Sequence, residues 1–298
     1  MWVRVLGAAA GGGFPQWNCH CANCRRLRSG TLRGKARSQA QVAISSDGAA
    51  WHLLSASPDL RLQIENSRFL WPSEGVRQSP IRSVVLTSAE IDSITGLLSL
   101  REFSPFTIFS TQAVQDILLG ENNVFDVLQR VPNQAVWRTF RADDSFELAP
   151  DLTVDAISLP AGYPVFVRNN HPAEEAVVGL AIESRNRRLV FLPGVGEITK
   201  NLLEWMETSD VLLFDGTFWS DDELIRVQQG AKTARKMNHV PISGVCGSLE
   251  ILSSLRRPRR IFMHINNTNP ILDEDSPEHQ AVADAGWEVA YDGMEFEI

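Results

Sequence analysis

The stretch Val84–Leu100 constrains the fold of this chain more than any other. Val84-Val85-Leu86 is a short apolar run of the kind that is buried in a sheet. It breaks at once into a polar turn, Thr87-Ser88-Ala89-Glu90-Ile91-Asp92-Ser93, and Ile94-Thr95-Gly96-Leu97-Leu98 then reads as the start of a helix. Sites form readily where a buried strand ends in polar residues just before a helix. Unpaired backbone N–H groups at the helix start and side chains from the strand end share one cleft there. The signature recurs. Val211-Leu212-Leu213-Phe214 is a fully apolar strand that ends at Asp215-Gly216-Thr217, which makes Asp215 a second site residue; a turn or cap aspartate is the alternative. Arg260-Ile261-Phe262-Met263 runs into His264-Ile265-Asn266-Asn267-Thr268-Asn269-Pro270. One imidazole followed by so many amides and hydroxyls points to an ordered hydrogen-bond network.

Near the N-terminus, Cys19-His20-Cys21-Ala22-Asn23-Cys24 places three thiols where a tight turn can bring all the sulfurs to one side. That spacing suits one tetrahedral ion, and zinc is the ion such thiolates hold in structural sites. A fourth ligand is then needed, and His264 and Asn267 are the candidates. Three of the four cysteines lie in this cluster, which fits a metal clip in the cytoplasm better than a secreted disulfide framework. The Gly-rich run Gly7–Gly13 lacks the GxGxxG spacing of a nucleotide loop and is made extended by Phe14-Pro15.

Elsewhere the pattern alternates strands and helices. Trp2–Leu6, Gln41–Ser45, Trp51–Ala56, Phe106–Ser110, Leu152–Ile157, Val177–Glu183 and Arg188–Leu192 read as strands. Helices are expected at Leu60–Asn66, capped by Asp59, at Thr111–Leu119, capped by Thr111, and at Asn122–Val131. Others follow at Glu197–Thr208, from Ser243 toward Leu255, and at Ser276–Ala285. Cys246 then reads as a small structural residue in the first turn after Ser243. Trp287–Ile298 reads as a strand pair turning at Asp292-Gly293. His52 reads as a packed histidine within its strand, and His171 as an exposed loop residue.

A formal net charge of -8 argues against a nucleic-acid partner, because no basic excess is available to displace counterions from phosphates. No apolar stretch is long enough for a membrane span, and the N-terminus lacks the basic start of a signal peptide, so a cytoplasmic protein is expected.

The metallo-β-lactamase superfamily carries Thr-His-x-His-x-Asp-His between a hydrophobic strand and a helix. Laid on the central junction, its Thr is Thr87 and its Asp is Asp92, while Ser88, Glu90 and Ser93 stand at its histidine positions. More specifically, the sequence resembles the coenzyme PQQ synthesis protein B family. The matching stretches are Gly11-Gly12-Gly13-Phe14-Pro15-Gln16-Trp17-Asn18-Cys19, Ala56-Ser57-Pro58-Asp59, Gly96-Leu97-Leu98-Ser99-Leu100-Arg101-Glu102, Phe214-Asp215-Gly216-Thr217 and His264–Pro270. They span nearly the whole chain.

The resemblance implies one metallo-β-lactamase-like domain over residues 1–298, an α/β, αββα sandwich of two mixed sheets flanked by helices. It implies a structural zinc on Cys19, Cys21 and Cys24. A second, reactive metal would lie on Asp92, Asp215 and His264, with Glu90 as a further donor. Phosphodiesterases of the superfamily share the cysteine element and a histidine near His239, which makes His239 an acid/base group or substrate contact.

The implied activity is iron- and oxygen-dependent hydroxylation of the tyrosine ring in a Glu–Tyr precursor of pyrroloquinoline quinone (PQQ). One alternative is a non-catalytic carrier of the quinone or its precursor toward the periplasm, and another is a metal-dependent hydrolase. Arg101, Asn266, Asn267 and Asn269 would offer cationic and amide donors to an acidic ligand. Other PQQ-biosynthesis proteins are implied partners, and a homodimer is open. The family usually reads Asp-His where this chain reads Asp92-Ser93. Two carboxylates and one imidazole still provide a facial donor set suited to non-haem Fe(II).

Overall fold

In a computed structural model covering residues 1–298, the chain is an α/β protein with two mixed sheets flanked by helices. It divides into two compact units. The first comprises Met1–Leu6, Gln41–Arg187 and Gly293–Ile298, and the second Gly7–Ala40 and Arg188–Asp292. The first unit holds β1 (Trp2–Gly7), β2 (Gln41–Ser45), β3 (Trp51–Leu54), β4 (Ile81–Val85), β5 (Phe106–Thr111), β6 (Ala135–Phe140), β7 (Ser145–Ala149), β8 (Leu152–Ser158) and β9 (Val178–Ser184). The second holds β10 (Arg187–Leu192), β11 (Val211–Asp215), β12 (Arg259–Met263) and β13 (Trp287–Val289). The last strand, β14 (Glu295–Glu297), belongs to the first unit again.

In the first unit, one sheet has the order β14-β1-β2-β3-β4-β5-β6. It is antiparallel at β14–β1 and β2–β3 and parallel from β3 to β6. Its core takes Leu53, Val84 and Ile108 from the strands, Leu86 from just after β4, and Leu60, Ile94 and Leu97 from the helices. Gly96 is required where the turn after β4 meets the end of β3. A Cβ there would lie 2.2 Å from the Ser57 carbonyl oxygen. In the second unit, β10, β11, β12 and β13 are parallel neighbours. Every residue of β11 is buried, as the uninterrupted apolar run of a covered parallel strand requires.

Several expectations are corrected. Trp287–Ile298 is not a strand pair: β13 lies parallel to β12, and β14 antiparallel to β1. Stacking of Trp287 on Phe262, with ring centroids 4.2 Å apart, commits β13 to β12. Ser243 does not cap a helix. Its hydroxyl donates to the Trp219 carbonyl (2.8 Å), and the helix Ser248–Ile251 starts after Gly247. Cys246 is exposed, with φ of 56°, rather than packed in a first turn. Asp59 makes no capping hydrogen bond; the Ser57 hydroxyl accepts from the Asp59 N–H instead (3.1 Å). His171 is not an open surface residue. It is half-buried, with Nε2 2.8 Å from Glu121 Oε1. The strand β6 carries too weak an alternation, at a half-exposed edge, to be read from sequence. Thr111 caps its helix as expected, accepting from the Val114 N–H, and Ser276 caps the last helix by accepting from the His279 N–H. No helix is long and apolar enough to cross a membrane.

His52 is packed inside β3, with Nδ1 2.8 Å from the Ser83 hydroxyl. Burial pushes its pKa down from the ordinary 6.5 to about 4. Between those values the unfolded chain binds a proton that the folded one refuses. The stability contributed by neutral His52 is therefore complete above pH 6.5 and is lost as pH falls toward 4. The loss should reach roughly 3 kcal/mol. Urea midpoints compared above pH 7 and near pH 4.5 should show it, and His52→Gln should shrink the difference.

Candidate functional site

The second unit gathers two clusters of metal-type donors: Asp215, His239 and His264, and Cys19, Cys21 and Cys24. Asp215 ends β11 and is fully buried. Gly216 lets the chain turn there, since a Cβ would meet Phe262 Cβ at 2.8 Å. Both carboxylate oxygens are engaged. Oδ2 accepts from the Val195 N–H (2.9 Å) and faces His239 Nδ1 (2.7 Å). Oδ1 accepts from the Thr217 N–H (3.0 Å) and the Thr217 hydroxyl (2.6 Å). Burial opposes ionisation of Asp215, but the His239 charge and hydrogen bond, then His264 and Thr217, outweigh it and hold the carboxyl below the usual range.

His239 follows Asn238, a residue with φ of 60°. The His239 N–H donates to the Ala234 carbonyl (3.0 Å), and Phe218 packs edge-on against the ring. His264 follows β12 with φ of 56°, a left-handed conformation uncommon outside glycine and asparagine. Its Nδ1 lies 2.8 Å from the Thr217 hydroxyl. The two imidazoles stack with centroids 5.8 Å apart and planes 22° apart. One donor atom from each of Asp215, His239 and His264 lies within 4.8 Å of the others.

The cysteine cluster forms at the start of the helix Ala22–Arg28, where Cys21 Sγ accepts from the Cys24 N–H. Asn267 reaches in from far along the chain. Its side-chain amide nitrogen lies 3.1 Å from Cys19 Sγ, 3.6 Å from Cys21 Sγ and 3.3 Å from Cys24 Sγ. Asn23 ties that segment down by donating to the carbonyls of Asn267 and Asn269. Burial pushes the Cys21 thiol up to about 12. Cys19 is held below the ordinary thiol range against its own burial by the Cys21 N–H, the two neighbouring thiols and Asn267. Thiols this close compete for what little positive potential surrounds them, and a divalent cation would remove the competition.

The chain matches the family model of the beta-lactamase superfamily domain over residues 50–265. Its curated relatives include coenzyme PQQ synthesis protein B of Methylorubrum populi, 42% identical with 100% of each chain covered. That of Pseudomonas entomophila is 41% identical, again over 100% of both chains. The chain belongs to the coenzyme PQQ synthesis protein B family. The crystal structure of zinc-bound PqqB from Methylobacterium extorquens superposes on it with a TM-score of 0.94, at 40% identity and with both chains fully covered. A diphosphatase of the PhnP family shares the fold, at a TM-score of 0.67 and 18% identity, covering 100% of this chain and 96% of its own.

Within this member of the PQQ synthesis protein B family, the expected site residues are distributed unevenly. Asp215, His264 and His239 come together, and His239 belongs to the donor cluster itself. Asp92 and Glu90 sit in the first unit at the start of the helix Ile91–Ile94, Glu90 exposed and Asp92 half-buried. There the Ser93 carbonyl accepts from the Ala56 N–H (2.7 Å). Arg101 is exposed; it donates to the Leu98 carbonyl (2.7 Å) and pairs with Glu102 (3.2 Å). Asn269 is fully buried, and its amide is spent on the Gly216 carbonyl and the Ile271 N–H, so it clamps a loop. Asn266 donates to the Thr268 hydroxyl (2.6 Å). Of the two candidates for a fourth donor at the cysteines, Asn267 lies against the thiols, and His264 faces Thr217 and His239.

Two site residues escaped the sequence reading. Thr217 carried a signal, since it sits two positions after Asp215 at a strand end. Glu223 carried none. It is buried against the Thr268 hydroxyl and the Trp219 N–H, both at 2.5 Å, and burial pushes its pKa up to about 7.

Proposed function

We propose that the protein acts in the biosynthesis of pyrroloquinoline quinone, with a metal ion at the Asp215–His239–His264 cluster and a structural zinc at the cysteines. The observation that carries this reading is the convergence of two imidazoles and one carboxylate within 4.8 Å. This is the donor composition of non-haem Fe(II) oxygenase sites. The full-length likeness to proteins named for PQQ synthesis, one of them bound to zinc, supports it.

At the cysteine centre, Cys19, Cys21 and Cys24 would hold zinc with Asn267 as fourth donor through its amide oxygen. Amide nitrogen and oxygen exchange places by a half-turn of the side chain. At the second centre, His239 and His264 would hold the ion together with Asp215, whose carboxylate also supplies the compensating negative charge. When bound, a ferrous ion would activate dioxygen for ring hydroxylation, with a co-reductant supplying the two electrons that reduce the second oxygen atom to water. The chain's own part is to fix both rings, keep Asp215 ionised and orient a tyrosine-containing precursor of the Glu–Tyr type. Among the alternatives, hydrolysis is disfavoured by Ser88, Glu90 and Ser93 at the superfamily's histidine positions.

The test is metal content of protein grown with iron and kept anaerobic, followed by oxygen uptake with a Glu–Tyr dipeptide and a reductant such as ascorbate. Zinc and iron each near one per chain, with uptake dependent on the dipeptide, is the expected result. Zinc alone with no uptake would replace the oxygenase with a binder of the quinone or its precursor.

A further inference from the structure

We propose that the Thr217 hydroxyl is a positioning group that fixes the tautomer of His264. Around Thr217 Oγ1 lie three partners: Asp215 Oδ1 at 2.6 Å, His264 Nδ1 at 2.8 Å and the His264 carbonyl oxygen at 2.9 Å. A hydroxyl has one proton to give. The carboxylate and the carbonyl can only accept, and the ionised carboxylate, the nearest partner, is the stronger acceptor. If the hydroxyl gave its proton to the ring instead, its lone pairs would face two oxygens at 2.6 and 2.9 Å with no hydrogen between them. In a group that is only 3% exposed, water offers little relief from that clash. The proton therefore goes to oxygen, and Thr217 accepts from His264 Nδ1–H.

His264 is thereby held with its proton on Nδ1 and its lone pair on Nε2. His239 reaches the same state by a shorter route, since Asp215 Oδ2 accepts directly from its Nδ1. One buried carboxylate thus sets both imidazoles, one by contact and the other through a single hydroxyl. Both rings then present Nε2 lone pairs from stacked planes. Asp215 is the anchor of the pair and Thr217 the relay. The carboxylate thus orients both rings besides belonging to the donor cluster itself.

The consequence for metal affinity rests on the function proposed above; the tautomer itself does not. It is read by nitrogen-15 NMR of histidine-labelled, metal-free protein at alkaline pH, with His264 assigned by His264→Asn. The expected spectrum shows His264 protonated at Nδ1. Thr217→Val should move it toward the Nε2–H form while leaving His239 unchanged, and Thr217→Ser should restore it. Nε2–H in the wild type, or an Nδ1–H signal insensitive to Thr217→Val in protein whose circular dichroism is unchanged, would overturn the proposal. If Thr217→Val does not fold, the wild-type and Thr217→Ser spectra decide: Nδ1–H in both supports it, and Nε2–H in either overturns it.

Ferrous-ion titration is the second arm. A loss of affinity of about 10- to 100-fold in Thr217→Val is expected for removal of a group that orients a ligand. Absence of iron binding in the wild type would remove the metal reading alone, and the tautomer result would stand.

Discussion

Cys24→Ser is expected to empty the cysteine centre and cost the protein a large part of its stability. Cys24 is fully buried at the start of the helix Ala22–Arg28, and its sulfur faces the Asn267 amide at 3.3 Å. A hydroxyl in its place is a poor zinc ligand and leaves two thiols, too few to close a tetrahedral site. Because such a site does not preexist in the unfolded chain, the free energy of metal binding is free energy of folding. The cluster ties residues 19–24 to Asn267, segments 243 to 248 positions apart in sequence. Losing that tie should remove at least ~3 kcal/mol, a fall in Tm of roughly 5–10 °C. Calorimetry with and without a chelator, alongside zinc analysis, checks it. The chelated wild type should melt like the variant. A wild type that binds zinc yet melts at the same temperature after chelation would show the centre to be mechanically idle.

His264→Ala is expected to abolish metal binding at the second centre while leaving zinc on the cysteines. The substitution removes an imidazole donor and the ring that stacks on His239. It also leaves the Thr217 hydroxyl with acceptors alone around it. Affinity for ferrous iron should fall by more than ~100-fold, beyond the range typical of losing a group that only orients a ligand. Oxygen uptake with the dipeptide should fall to background. Metal analysis separates the two centres: zinc near one per chain with iron absent is the expected pattern. Iron retained in His264→Ala would move the reactive ion away from the Asp215 cluster. His239→Ala should behave in the same way, since its ring completes the same group.

Much of this arrangement was legible along the chain. The apolar runs before Asp215 and His264 marked buried strands, and their polar ends marked the site. Burial of a strand is a local property that two or three consecutive side chains suffice to record. The cysteine triad was equally legible, since its donors lie within six residues and the spacing alone lets the sulfurs converge.

Partnerships between distant residues were decided by the tertiary structure. Asn267 rather than His264 meets the thiols because Asn23 holds the carbonyls of Asn267 and Asn269. His239 joins Asp215 across 24 positions, and His171, expected at the surface, pairs with Glu121 across 50. Trp287 leaves its expected partner strand to stack on Phe262. A hydrogen bond or a ring stack depends on the crossing of strands that share no local pattern. Sequence periodicity therefore determined which side chains are buried and where strands end, while the parallel order of β10 to β13 selected which of those ends share a hydrogen bond.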